Sequence, residues 1–164
     1  MAYVDPWIMH SVFLDRYKTS QVRSITHFVR TEMMPDIRRK AQSIANRMGG
    51  TKSLVRRRAF LMKQLRGLDD VVRGGTSLLH ARLKSDMTKL AKAEAKWTAE
   101  TMQRQLPLRA GYVMPSPHLL QSLVVSRPMH GKFLREWTSN IGSSTAKRIR
   151  QQIMLGVGQG ESIP

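Results

Sequence analysis

The histidines stand at His10, His27, His80, His118 and His130. No two share a metal-ligand spacing with a carboxylate nearby, so each reads as a lone surface or interface imidazole. Gly50-Thr51-Lys52-Ser53 carries the lysine and hydroxyl of a phosphate loop, but threonine occupies the position before the lysine where that loop needs glycine. The glycines of Gly156-Val157-Gly158-Gln159-Gly160 follow a helical pattern rather than a strand, so they read as a helix end and a turn, not as a dinucleotide fingerprint. Asp69-Asp70 is the one adjacent acidic pair. Neighbours on a helix point to different sides, which makes the pair a weak acid/base or metal candidate; its expected role is to offset positive charge. No catalytic residue, metal site or cofactor is expected.

The chemistry that the sequence does supply in quantity is cationic. Lys and Arg number 28 against 11 Asp and Glu, a formal charge of +17. Such an excess repels itself unless an anionic partner or solvent compensates it. It is densest where Arg38-Arg39-Lys40, Arg47, Lys52, Arg56-Arg57-Arg58, Lys63, Arg66 and Arg73 face only Asp36, Asp69 and Asp70. A helical triplet fans over about 200°, which suits phosphates met from several sides better than a single base-reading face. Arg38, Arg39, Lys40, Arg56, Arg57, Arg58, Lys63 and Arg66 are therefore the candidate contacts to double-stranded DNA. Only Phe60 interleaves with the cluster and aromatic residues make up 6% of the chain, so a single-strand stacking platform is disfavoured.

The elements that must carry these residues read as helices. Asp5-Pro6 is a good helix start, and Ile8, Val12, Val22, Ile25, Val29, Met33, Ile37, Ile44 and Met48 mostly recur in steps of three and four. Pro35 is expected to kink or divide this helix near Met34. Two similar junctions, Met48-Gly49-Gly50-Thr51-Lys52-Ser53-Leu54 and Arg73-Gly74-Gly75-Thr76-Ser77-Leu78, predict helix ends at the paired glycines and new caps at the hydroxyls. Between them Leu54, Leu61, Leu65, Leu68 and Val72 point inward; after them Leu79, Leu83, Met87, Leu90 and Trp97 form a stripe broken once by Glu94. Pro107 closes that helix. Short helices are predicted from Ser116-Pro117, carrying Leu119, Leu120 and Leu123, over 129–140 with Phe133, Leu134 and Trp137, and over 143–155. Nothing alternates as strands do.

The expected fold is all-α: long kinked amphipathic helices followed by a compact small-helix segment, extended rather than globular. Its divisions fall at 1–106, a long basic helical region; 107–116, a linker; and 117–164, the small-helix segment. There is no cysteine, which removes disulfides and thiol chemistry. No apolar run reaches 18 residues and the first basic residue is Arg16, so a soluble protein made inside the cell is expected.

The run Phe133-Leu134-Arg135-Glu136-Trp137, then Ile141, Ser144-Thr145, Ile149, Ile153 and Gly156, followed by Gly160-Glu161-Ser162-Ile163, resembles the helical core of phage minor head proteins of the Mu F-like head morphogenesis family. In that family a Trp-containing helix precedes a capped helix ending in glycine, and Gly-x-Ser opens the next. The likeness covers about a fifth of the chain, residues 129–164; members of that family usually continue into further helices past the point that corresponds to Pro164. It implies a low-copy virion protein inside the head near the portal vertex, made in the host cytoplasm, active in head assembly or DNA ejection, with the portal or major capsid protein as partner. Some members add an enzymatic domain further on.

For docking onto such a partner the candidates are Trp7, Ile8 and Phe13, or Phe133, Trp137 and Ile141. The first group sits among Val12, Leu14 and Tyr17, where charge is nearly balanced; a docking helix is favoured there over a membrane anchor, and self-association through the helical stripes is a further use. The leading expectation is a structural, non-enzymatic virion protein. The alternative is a sequence-independent nucleic-acid-binding protein of nucleoid or ribosomal type. A virion-docking part of an enzyme lying beyond residue 164 and a membrane-active ejection protein are the other classes.

Overall fold

A computed structural model describes residues 5–48, 54–105 and 114–158, with the side chains at 45, 48, 54–59, 105 and 156–158 outside the description. The fold is all-α. Helix α1 spans Pro6–Phe28, α2 Met34–Met48, α3 Leu54–Gln105, α4 Pro117–Ser126 and α5 Leu134–Gly158. Among the described residues no strand forms; a single antiparallel bridge joins Met129 to Lys132. It closes a tight turn in which His130 and Gly131 both take positive φ, 49° and 75°, the twist that a two-residue hairpin demands. No described helix is long and apolar enough to cross a membrane.

Pro35 divides the first helical run as expected, and the division takes the form of a π turn, Val29–Met33, between α1 and α2. Pro35 has no N–H for the carbonyl of Thr31 and its ring would crowd it. The Met34 N–H bonds to the Val29 carbonyl, five residues back, which widens the helix at this point. The same turn serves the core: Phe28 and Met33 are both buried, although an α-helix would set residues five apart about 140° from each other.

The chain forms two compact units, one from 1–26 with 80–135 and one from 27–79 with 136–164. In the first, α1 and α3 run antiparallel. Trp7 meets Trp97 edge to face at 4.8 Å, the His10 ring stacks on Trp97 at 3.7 Å, Tyr17 donates to the Asp86 carbonyl at 2.7 Å, and Arg82 donates to the Ser24 hydroxyl at 2.9 Å. Glu94, which interrupts the apolar stripe in sequence, is not a defect: its Oε2 pairs with His10 Nε2 at 3.0 Å. Ser116 caps α4 by accepting from the Leu119 N–H, a contact that contributes about 1 kcal/mol, and Leu120 and Val124 turn inward while Leu119 and Leu123 stay exposed.

In the second unit Leu61, Leu65, Leu68 and Val72 of α3 are buried as their spacing predicts, with Met33, Ile37 and Ile44 from the other side. Of the N-terminal stripe, Ile8, Val12 and Val22 are exposed, contrary to expectation. The predicted helix end at Gly74-Gly75 is also absent, since α3 runs through it. Gly75 is a packing residue: a Cβ there would lie 2.8 Å from Met33 Cγ. The Thr76 hydroxyl, rather than capping a new helix, bonds back to the carbonyls of Val72 and Arg73. The junction Gly49-Gly50-Thr51-Lys52-Ser53 lies outside the described residues, as do Leu106, Pro107 and most of the expected linker.

The two short C-terminal helices are one. α5 passes through Ile141, Gly142 and Ser143 without a break, so the compact small-helix ending is corrected to a 25-residue helix. Ser143 and Ser144 do not cap; their hydroxyls donate to the carbonyls of Asn140 and Ile141 within the helix. Gly142 permits contact with α3, because a Cβ on it would meet Thr76 Cγ2 at 3.0 Å.

The two glycines of the pair should separate in mutagenesis. Gly75→Val is expected to destabilise by about 1–3 kcal/mol through overpacking against Met33, whereas Gly74→Ala, with open space around it, should stabilise by about 0.5–1 kcal/mol in urea unfolding. Burial, and then the Asp86 charge, raise the Tyr17 pKa above its ordinary 10.0. Both favour the neutral phenol, so the resulting stability is complete below pH 10.0 and is lost as pH rises through the folded-state value. Alkaline spectrophotometric titration should show a late tyrosine step that disappears in Tyr17→Phe.

Candidate nucleic-acid interface

The predicted cationic residues divide into four situations. Arg38 on α2, and Lys63 and Arg66 on α3, are exposed and have no carboxylate within ion-pair distance among the described residues. Arg39 is exposed but pairs with Asp36 one turn earlier. Lys40 is half-buried and lies across Gly67 of α3: its Nζ sits 3.1 Å from where a Cβ on that glycine would be. The side chains of Arg56, Arg57 and Arg58, carried by the first turns of α3, lie outside the described residues.

Helical spacing orders the part that is described. On α3, Lys63, Arg66, Asp70 and Arg73 recur at steps of three, four and three, which places them along one flank beside the buried leucine stripe. Antiparallel packing of α2 on α3 sets Lys40 beside Gly67, so the cations of 38–40 and of 63–66 belong to the same unit. This arrangement offers flexible point charges on helix flanks, the geometry of phosphate contact rather than of base reading. Among the described residues no group of three His, Asp or Glu side chains is placed to hold a metal ion.

Sequence reasoning missed a second cationic feature in the same unit. A cleft of about 1090 Å³ runs between α3 and α5, lined by Asp69, Arg73, Thr76, Lys147 and Arg150 among others. Arg150 pairs with Asp69 through Oδ2, which leaves Asp69 Oδ1 buried without a hydrogen-bond partner among the described residues. Asp69-Asp70 thus splits as adjacent helical residues must: Asp69 goes to this pair and Asp70 to the exposed flank. Ser143, Lys147, Arg150 and Met154 recur at steps of four, three and four, a signal present in the sequence within the helix expected over 143–155.

The docking candidates Trp7, Ile8, Phe13, Phe133, Trp137 and Ile141 are all exposed to 40% or more. Trp7 and Phe13 nonetheless belong to the aromatic seam of the first unit, Trp7 against Trp97 and Phe13 stacked near His10 at 6.0 Å. Ile8 makes no such ring contact and stands with Met9 and Val12 on the outward side of α1. No family model matches this chain, and no curated protein or solved structure matches it significantly.

The pairing state of each cation predicts its effect on duplex binding. Lys63→Gln with Arg66→Gln should weaken binding to any duplex sequence equally and flatten the salt dependence by roughly 0.9 for each phosphate that is no longer neutralised. Asp36→Asn frees Arg39 and should strengthen binding, measured by fluorescence anisotropy across a salt series.

Proposed function

We propose that this chain is a structural, non-enzymatic protein of the phage head interior that docks near the portal or on the major capsid protein and meets packaged double-stranded DNA through phosphate contacts. The observation that carries the DNA contact is the set of exposed cations without carboxylate partners, Arg38, Lys63 and Arg66, in one unit with Lys40. A protein beside packaged DNA faces densely spaced phosphates, and the release of their counterions favours binding. The location in the head rests on the likeness of residues 129–164 to minor head proteins.

A second reading has one observation in its favour. The capped helix start that the likeness places at Ser144-Thr145 is missing, because α5 is continuous there. That weakens the likeness and favours a free, sequence-independent nucleic-acid-binding protein of nucleoid or ribosomal type.

Two measurements test these readings. Arg56, Arg57 and Arg58 replaced together by glutamine should lower duplex affinity and flatten its salt slope; an unchanged slope removes the triplet from the interface. Mass spectrometry of purified particles and of the soluble fraction from the native source should find the protein in particles, and its confinement to the soluble fraction would overturn the head location in favour of the free binder.

A further inference from the structure

We propose that the cleft between α3 and α5 is a nucleotide-binding site, taking one nucleoside monophosphate by its phosphate and its base. The site takes Arg73 from the end of the flank that carries Lys63 and Arg66; its other residues are distinct from the outer cations of 38–40 and 63–66, and its occupancy does not depend on duplex binding. Its charge is arranged for a phosphate monoester: Arg73 and Lys147 line it from opposite helices, exposed and without a carboxylate partner among the described residues. A third cation, Arg150, is held at the cleft by Asp69, which is its positioning residue. Asp69 holds it through Oδ2 while Oδ1 has no hydrogen-bond partner among the described residues, so the pair is one-ended and releases Arg150 to an incoming phosphate more readily than a bidentate fork would.

The rest of the wall selects the organic part. Val72, Met154 and Leu155 supply an apolar side, and Met154 and Leu155 are more than half exposed, a poor state for such side chains unless something covers them. Ser139, Ser143, Gln151 and Gln152 add hydroxyl and amide groups alongside. A flat base with polar edges satisfies both kinds of wall. A bare phosphate leaves the apolar side wet, and a lipid tail leaves the hydroxyls and amides unpaired, which costs free energy for each group buried. A volume of about 1090 Å³ accommodates a ligand of this size.

Isothermal titration of the full chain with adenosine 5′-monophosphate, adenosine and orthophosphate tests the assignment, at about physiological ionic strength to screen diffuse attraction. The expected result is saturable binding of one monophosphate per chain, with adenosine and orthophosphate each at least about tenfold weaker. Lys147→Gln should weaken the monophosphate by about tenfold, and Lys147→Arg should restore most of it. Lys147 is exposed, so neither variant threatens the fold. No saturable binding, an affinity for orthophosphate equal to that for the monophosphate, or full binding by Lys147→Gln would each overturn the proposal. Duplex binding on the same preparation is read from its own salt slope: a protein that binds duplex but no monophosphate loses the cleft site alone, and one that binds monophosphate but no duplex loses only the outer interface.

Discussion

In the unit formed by 27–79 and 136–164, two neighbouring residues of α3 set how closely three helical segments approach. Gly75 receives Met33 from the end of the π turn, and Thr76 lies against Gly142 of α5. At each contact one partner contributes no side chain, so backbone and side chain come nearer than two side chains would allow. The buried positions accompany that approach: Leu68, Val72 and Leu79 of α3, Ile37 and Ile44 of α2 and Ile153 of α5 are all buried in this unit. Asp69 with Arg150 lies further along the α3–α5 contact, in the antiparallel register that Thr76 and Gly142 establish. The cleft and its charges are positioned by the same register.

What can be read from the sequence, and what cannot, separates along a physical line. Apolar spacing reports which side of a helix is inward, and it locates Leu61, Leu65, Leu68 and Val72 correctly. A glycine pair reports only missing side chains. At Gly74-Gly75 that absence reads as a stop signal, yet its meaning is set by Met33, far away in sequence. Glu94 reads as a defect for the same reason, since its partner His10 arrives from another helix. Serines 143 and 144 have two local uses, capping a start or bonding back inside a helix, and nothing in their neighbours decides between them. The outer cations are legible because charge needs no partner to be counted. The cleft is not, because it exists only once two distant helices are antiparallel.

The charge itself is spread over the fold rather than confined to one end. Both units are basic, and several of the few carboxylates are committed to ion pairs: Asp86 with Lys89, Glu100 with Lys96 and Arg104, Asp36 with Arg39, Asp69 with Arg150. Most of these are exposed or half-exposed, so each contributes little to stability, roughly 0–1 kcal/mol. Their larger effect is to decide which cations remain available. Arg38, Lys63 and Arg66 are available because none forms an ion pair with a carboxylate among the described residues, Asp70 on the flank of Arg66 included.

The π turn at Val29–Met33 has a consequence for how this chain tolerates length changes. It holds one residue more than an α-helical turn would, and so separates the rotational phase of α2 from that of α1. Loss of a single residue there would let the turn revert towards α geometry and rotate the neighbouring positions by about 100°, taking Met33 away from Gly75 or Phe28 off its buried side. The turn works as a spacer in angle rather than in distance. Phe28 before the turn and Met33 at its end are both kept buried, on a chain whose proline already forbids an unbroken α-helix at that point.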